Sequence, residues 1–344
     1  MRPEGCQETG TRLAAAKIPR NLQISNRFWL AHRLTLFKSG TYTQPMANRR
    51  LVVAALSVAA CALAWGRPLD AQAIQRALYV SAVTDAGVPV PNLGPSDVIV
   101  REDNLTREVL KVEPAVEPMQ IAVLVDTSQG ARDDIAHMRT ALPAFVNTLT
   151  SGDVRNEVAI IAIGERPSVY TNYTFNQTEL KKGIDRIWSM PGSGTYLLDG
   201  IIEVCQGFKK RGAPRPVIVA IVSEGPELSN RQHDQVIDPL KSTAAALHVI
   251  TLGRPSTSTS DEMRERNIVL DVGTRLTGGR REDLLTAMAL GARLTRLADD
   301  LTHQYKVTYA RPQSLIPPEK VTVAAAKPGV TARGTLIKEL QGRP

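Results

Sequence analysis

Four short, nearly uninterrupted apolar runs constrain this chain more than any other feature. They lie at residues 121–125, 158–163, 217–222 and 247–252. Strands buried on both faces read this way, and such strands belong to parallel sheets. Between and after the runs, apolar residues recur at helical spacing. Ile135, Met138, Leu142, Val146 and Leu149 do so within 132–150, and Leu180, Ile184 and Ile187 within 179–188. Leu197, Ile201, Cys205 and Phe208 follow within 196–210, with a weaker set, Val236, Ile237 and Leu240, within 232–246. A last helix is expected over about 283–302, carrying Leu290, Leu294, Leu297 and Leu301. Strands alternating with helices predict an α/β fold, a doubly wound and mostly parallel sheet covered on both faces.

The flanks differ in character. Residues 77–83 and 97–112 read as strands with polar turns, and Pro89, Pro91 and Pro95 punctuate the piece between them. Beyond the last helix, Tyr305, Val307 and Tyr309 alternate, and 320–324 and 330–337 look like further strands. These outer strands are expected to form a small β domain beside the sheet.

Charge separates the N-terminal region from the rest. The net charge is +8, but residues 1–50 hold nine Lys/Arg and two acids, so almost all the excess sits there. A basic surface for nucleic acid is therefore not expected, and the short runs Lys181-Lys182, Lys209-Lys210-Arg211 and Arg280-Arg281 read as solvated helix ends. Met46-Ala47-Asn48-Arg49-Arg50, the apolar run 51–65 and Ala71-Gln72-Ala73 together read as an export signal cleaved after Ala73. On this reading translation starts at Met46. Cys61, after Val58-Ala59-Ala60, offers the rival of a lipid anchor. Cleavage would leave Cys205 as the remaining cysteine, an inert core residue, so no internal disulfide is expected. The expected organisation is an upstream extension over 1–45, a signal peptide over 46–73, a β-rich segment over 74–118, the α/β domain over 119–310 and a β tail over 311–344.

In an open α/β sheet, ligands bind outside the carboxyl ends of the strands. The first run ends in Asp126-Thr127-Ser128-Gln129-Gly130, and the third in Ser223-Glu224-Gly225. Between them Ser193-Gly194-Thr195-Tyr196-Leu197-Leu198-Asp199 opens a helix. Such loops gather carboxylate and hydroxyl oxygens, a donor set suited to a hard cation. The three loops, in this order and spacing over about 119–310, resemble the metal-ion-dependent adhesion site of the von Willebrand factor A-like domains. Its first loop has the pattern D-x-S-x-S, its second supplies a Thr, and its third is usually T-D-G. The flanks resemble a secreted bacterial subgroup of that family, of the kind found in acidobacteria.

The resemblance implies a protein-binding, adhesion-type module. It also implies a metal site of Asp126, Ser128, Thr195 and Glu224, with Mg²⁺ or Mn²⁺ as the ion. Ser128 and Thr195 would be direct ligands, Asp126 the main charge, and Glu224 would act through water. A partner protein's acidic side chain would take an open position on the metal. Two departures matter: Gly130 stands where the pattern has its second Ser, and Glu224 where it has Asp. The alternative is a metal-free scaffold of the cell envelope. Read as ordinary structure, Asp126 or Ser128 caps the following helix, Thr195 is the N-cap of the helix after it, and Glu224 is a solvated loop acid.

Enzyme function is not expected. A phosphatase using Asp126 as nucleophile needs a second acid where Ser128 stands. Gly192-Ser193-Gly194 is not a nucleophile elbow. His32, His137, His233, His248 and His303 form no close pair and read as surface or packing residues. No small-molecule substrate is expected, and the protein is expected outside the cytoplasm, periplasmic or secreted.

Overall fold

The computed structural model describes residues 73–254, 260–313, 318 and 320–337, all within one unit, Asp70–Pro344. Residues 1–72, which hold the expected upstream extension, Cys61 and the expected export signal up to Gln72, lie outside them.

The chain enters through β1 (Ala73–Thr84), followed by β2 (Val98–Glu102), β3 (Leu105–Arg107) and β4 (Val109–Pro114). The stretch 97–112, read in sequence as one strand, is thus three. Asp103 and Asn104 both have positive φ, 47° and 67°, which closes a two-residue hairpin between β2 and β3.

The central sheet follows as β5 (Gln120–Val125), β6 (Glu157–Ala162), β7 (Ser168–Thr174), β8 (Pro216–Ser223), β9 (Ala246–Leu252) and β10 (Arg281–Leu284). Its order is β10-β9-β8-β5-β6-β7, parallel except for β7 at the edge. The doubly wound α/β reading holds. Helices α1 (Ile135–Thr150), α2 (Gln177–Asp185), α3 (Leu197–Arg211), α4 (His233–Thr243), α5 (Asp261–Ile268) and α6 (Leu290–Thr302) cover it. Alternate residues of β5 explain the layering. Ile121, Val123 and Val125 pack under α1, α2 and α6, while Ala122 and Leu124 pack under α3 and α4. Both faces of that strand are wholly removed from water, so the apolar run is a requirement of its place at the sheet centre.

The helix expected over 283–302 is corrected. Residues Arg281–Leu284 form the edge strand β10, and the helix begins only at Leu290. Four residues with three charges carry no strand pattern; β10 forms because β9 offers it a parallel partner.

After α6 come β11 (Tyr305–Pro312), β12 (Val321–Ala325) and β13 (Val330–Leu336). They join the N-terminal strands in two antiparallel sheets, β13-β1-β11-β4 and β12-β2-β3. Leu78, Val80, Val98, Val100, Val307 and Tyr309 fill the space between those sheets. β11 pairs with β1 along its whole length, so residue 310, taken in sequence as a domain edge, lies inside a strand.

Candidate functional site

The loops after β5 and β8 and the turn before α3 meet at one end of the central sheet. Main-chain bonds fix them there. Asp126 N donates to Ile221 O at 2.9 Å, carrying the β5–β8 pairing one residue further. Thr195 N donates to Pro226 O at 2.9 Å, and Leu228 N donates to Thr195 O at 2.8 Å, a short parallel bridge between the second and third loops.

That frame brings Asp126, Ser128 and Thr195 together. Asp126 Oδ1 accepts from Ser128 N at 2.8 Å. Asp126 Oδ2 accepts from Thr195 Oγ1 at 2.9 Å and from Ser223 N at 3.1 Å. The Thr195 hydroxyl also lies 3.4 Å from Ser128 Oγ. All three residues are 0% exposed. A carboxylate so deep is tolerable only because three donors converge on it. Thr195 is not the N-cap of α3, and Ser128 occupies the N-cap position of the short turn 129–131 without capping it through its side chain. The N-cap of α3 is Tyr196, and neither Tyr196 nor Ser128 makes a side-chain cap bond.

Glu224 is placed differently. Its main-chain N donates to Leu252 O at 3.0 Å, and its Cβ and Cγ lie 3.6 Å from where a Cβ on Gly253 would sit. Its carbonyl faces Gly130, where an added Cβ would come within 2.9 Å of that oxygen. The third-loop main chain therefore fills the space that the family's second serine would need. Gly130 is a packing requirement as well as a lost hydroxyl.

Further residues support these loops: Ser223 and Asp199 lie within the loop motifs, whereas Arg266, Asp134 and Glu227 carry no sequence signal. Arg266 is 1% exposed, and its guanidinium donates to Gly225 O at 3.2 Å and Ser223 O at 3.5 Å, a fixed positive charge held against the third loop. It lies in α5, a polar stretch without an apolar face to reveal it. Ser223 Oγ donates to Asp134 Oδ2 at 2.7 Å. Glu227 is 3% exposed; burial pushes its carboxyl up to about 7 against the opposing pull of Ser229 and Arg266. Asp199 ties α3 to the third loop, pairing with Arg231 at 2.6 Å while its main-chain N donates to Ser229 Oγ at 3.1 Å.

Three oxygens from two loops form a donor set fit for a hard cation: a carboxylate and two hydroxyls. Among the described residues no group of three or more His, Cys, Asp or Glu is placed to hold a metal; the cluster at Asp126 is of the hydroxyl-rich kind.

No curated protein matches the chain. Solved structures that are similar share little sequence. The SpRpn10 VWA domain is 15% identical, with 52% of this chain and 94% of that one covered at a TM-score of 0.41. A von Willebrand factor type A protein from Catenulispora acidiphila is 12% identical, with 77% and 75% covered at 0.44. Proximal thread matrix protein 1 from the mussel byssus, with a zinc-occupied MIDAS motif, is 12% identical, with 59% and 50% covered at 0.45. The family model for the von Willebrand factor type A domain matches residues 120–268, which hold β5 through α5 and all three loops. Over this stretch the chain is similar to the von Willebrand factor type A domain.

Proposed function

We propose that the chain is an exported protein-binding module that engages its partner through a divalent cation of the Mg²⁺ or Mn²⁺ kind. The observation that carries this reading is the convergence of Asp126, Ser128 and Thr195 within hydrogen-bond distance at the carboxyl end of the sheet. Asp126 supplies the charge, Ser128 and Thr195 the hydroxyl ligands, and Glu224 acts through water from the third loop. A bound cation supplies a coordination position that a partner's carboxylate can take. Domains of this family commonly mediate protein interactions in this way. Because the three donors are buried, engagement requires the third loop, residues 223–229, to move aside.

Export belongs to the same reading. The basic stretch 46–50, the apolar run 51–65 and Ala71-Gln72-Ala73 support it, and the proposed location is the periplasm or beyond, as for the secreted bacterial subgroup that the flanks resemble. Anchoring through Cys61 is the weaker form of export. Binding rather than catalysis is proposed because Ser128 stands where proton transfer to a leaving group would need an acid.

Titrating the full chain with Mg²⁺ and with Mn²⁺ in a calorimeter tests the metal. One saturable site, lost in Asp126→Asn while that variant still unfolds cooperatively, is the expected result. No heat and no thermal shift with either ion would overturn it. A second reading, the metal-free scaffold, is favoured by one observation: the Glu224 carbonyl closes over Gly130. Partner capture from envelope extract that is indifferent to chelator would select it.

A further inference from the structure

A second buried polar place lies away from the three loops. His248 sits on β9 in phase with Ala246, Ile250 and Leu252, so its ring turns to the α6 side of the sheet. It is 2% exposed, and among the described residues neither ring nitrogen has a hydrogen-bond partner. Buried polar atoms rarely stay unsatisfied, and one that does asks for a missing partner. The ring lines a cavity of about 130 Å³ walled by β9, β10, α6 and the turn after β1 at Asp85–Gly87.

The charges around that cavity decide what partner fits. Glu282 is shared between Arg280 at 3.0 Å and Arg293 at 3.4 Å. Asp300 holds Arg333 at 2.6 Å. Arg296 also lines the cavity, without a hydrogen bond or ion pair to any described residue. The remaining acid on the wall, Asp85, is exposed to solvent. Four guanidiniums thus face three carboxylates, and the two on β10 and α6 are already engaged. Burial, reinforced by Arg333 and Arg280, holds the imidazole far below its usual range, at about 3. It is therefore neutral at ordinary pH, with one N–H to give. Asp85, the lining carboxylate without an ion pair among the described residues, lies in solvent, whereas an anion in the cavity meets spare N–H donors. The volume corresponds to about four waters at ~30 Å³ each, which suits a compact tetrahedral or carboxylate group.

We infer that this cavity binds a small oxyanion of the phosphate class, held by the His248 N–H and the guanidiniums of Arg296 and Arg280. The site joins the central sheet to the β1 turn, so its ligand ties the type A domain to the strands that flank it. It is independent of the metal reading, since none of its residues touches Asp126, Ser128 or Thr195.

The test is a calorimetric titration of the full chain with inorganic phosphate at constant ionic strength, alongside thermal unfolding in phosphate and in chloride. A single saturable site and a higher Tm in phosphate alone are expected. Arg296→Ala and His248→Leu should each weaken phosphate binding about tenfold or more, the effect of losing one hydrogen bond to a charged group. Arg296→Ala should still unfold in chloride as the parent does. A capped phosphoserine tripeptide forms a second arm. Binding of phosphate without the peptide identifies a free anion, and binding of both identifies a site open also to a phosphoryl group on a chain; each supports the inference. No heat with phosphate, or heat unchanged in both variants, overturns it and leaves a cavity filled by water.

Discussion

The Asp126 cluster and the His248 cavity are both buried polar places on the same parallel sheet, and they are built in opposite ways. At Asp126 the chain satisfies itself: the carboxylate takes three donors, from the first, second and third loops. At His248 the chain stops short, leaving two ring nitrogens without partners beside Arg296. A saturated cluster holds its loops together without a ligand, and a ligand entering it must replace bonds that already exist. An unsaturated cavity contributes little to holding the fold and gains from being filled. Stability at the first place should thus depend on the protein's own atoms, and at the second on what is dissolved around it.

Asp126→Ala gives the largest effect. It strands the Thr195 hydroxyl and the amides of Ser128 and Ser223 in a dry site, at a cost of roughly 3 kcal/mol or more, read from urea unfolding. A cost under ~1 kcal/mol would mean that the cluster is not saturated as described, and the contrast would fail.

Acid provides the next test, acting on the other place. The His248 ring is neutral in the fold well above about pH 3, whereas in the unfolded chain it takes a proton near pH 6.5. Between those values the unfolded state binds more protons, so stability falls as pH drops through the window and is unaffected above it. The slope approaches ~1.4 kcal/mol per pH unit at its steepest. Asp85, Arg280, Glu282, Arg293, Arg296, Asp300 and Arg333 surround the ring from the turn after β1, the residue before β10, β10 itself, α6 and β13, and bound phosphate would flatten the slope by pairing with a protonated ring. His248→Leu should remove this component of the acid slope and leave stability at pH 8 equal or slightly higher, since an unpartnered polar group is deleted. An unchanged slope would show that the ring finds a proton acceptor in the fold.

Gly130→Ser asks whether the first place can be restored to the family's pattern. Its Cβ meets the Glu224 carbonyl at 2.9 Å, so the third loop must shift, at a cost of about 1–3 kcal/mol by chemical denaturation. If the variant instead gains stability and Mn²⁺ affinity together, the closed loop is one of two arrangements and the metal reading is sharpened.

How much of this was visible in the sequence depends on what each residue answers to. β5, β6, β8 and β9 are legible because strands covered on both faces have almost no choice but Val, Ile, Leu and Ala. β7 and β10 are not, because they are edges. Ser168–Thr174 keeps most of its residues partly in water, and Arg281–Leu284 carries three charges. The meeting of Asp126, Ser128 and Thr195 follows from one strand end and the turn before α3 and needs only the fold to be foreseen. The closure at Gly130 does not, because the obstacle is a carbonyl, and every residue carries one. Arg266 and His248 escape for a related reason: a buried Arg or His is defined by the carbonyls or the void around it, and neither leaves a mark on residue type.

Arg296→Ala is the smallest effect and separates the two places most cleanly. The residue is exposed on α6, with no hydrogen bond or ion pair to a described residue to lose, so unfolding in chloride should change by less than ~0.5 kcal/mol. In phosphate the parent gains RT ln(1 + [L]/Kd), about 2.7 kcal/mol at a hundredfold excess over Kd. A variant with tenfold weaker binding gains about half as much at the same concentration. Two melting curves that coincide in chloride and part in phosphate would show stability at this place coming from the solution. If they part equally in both salts, Arg296 supports the fold directly, and the distinction between a self-satisfied cluster and a ligand-seeking cavity disappears.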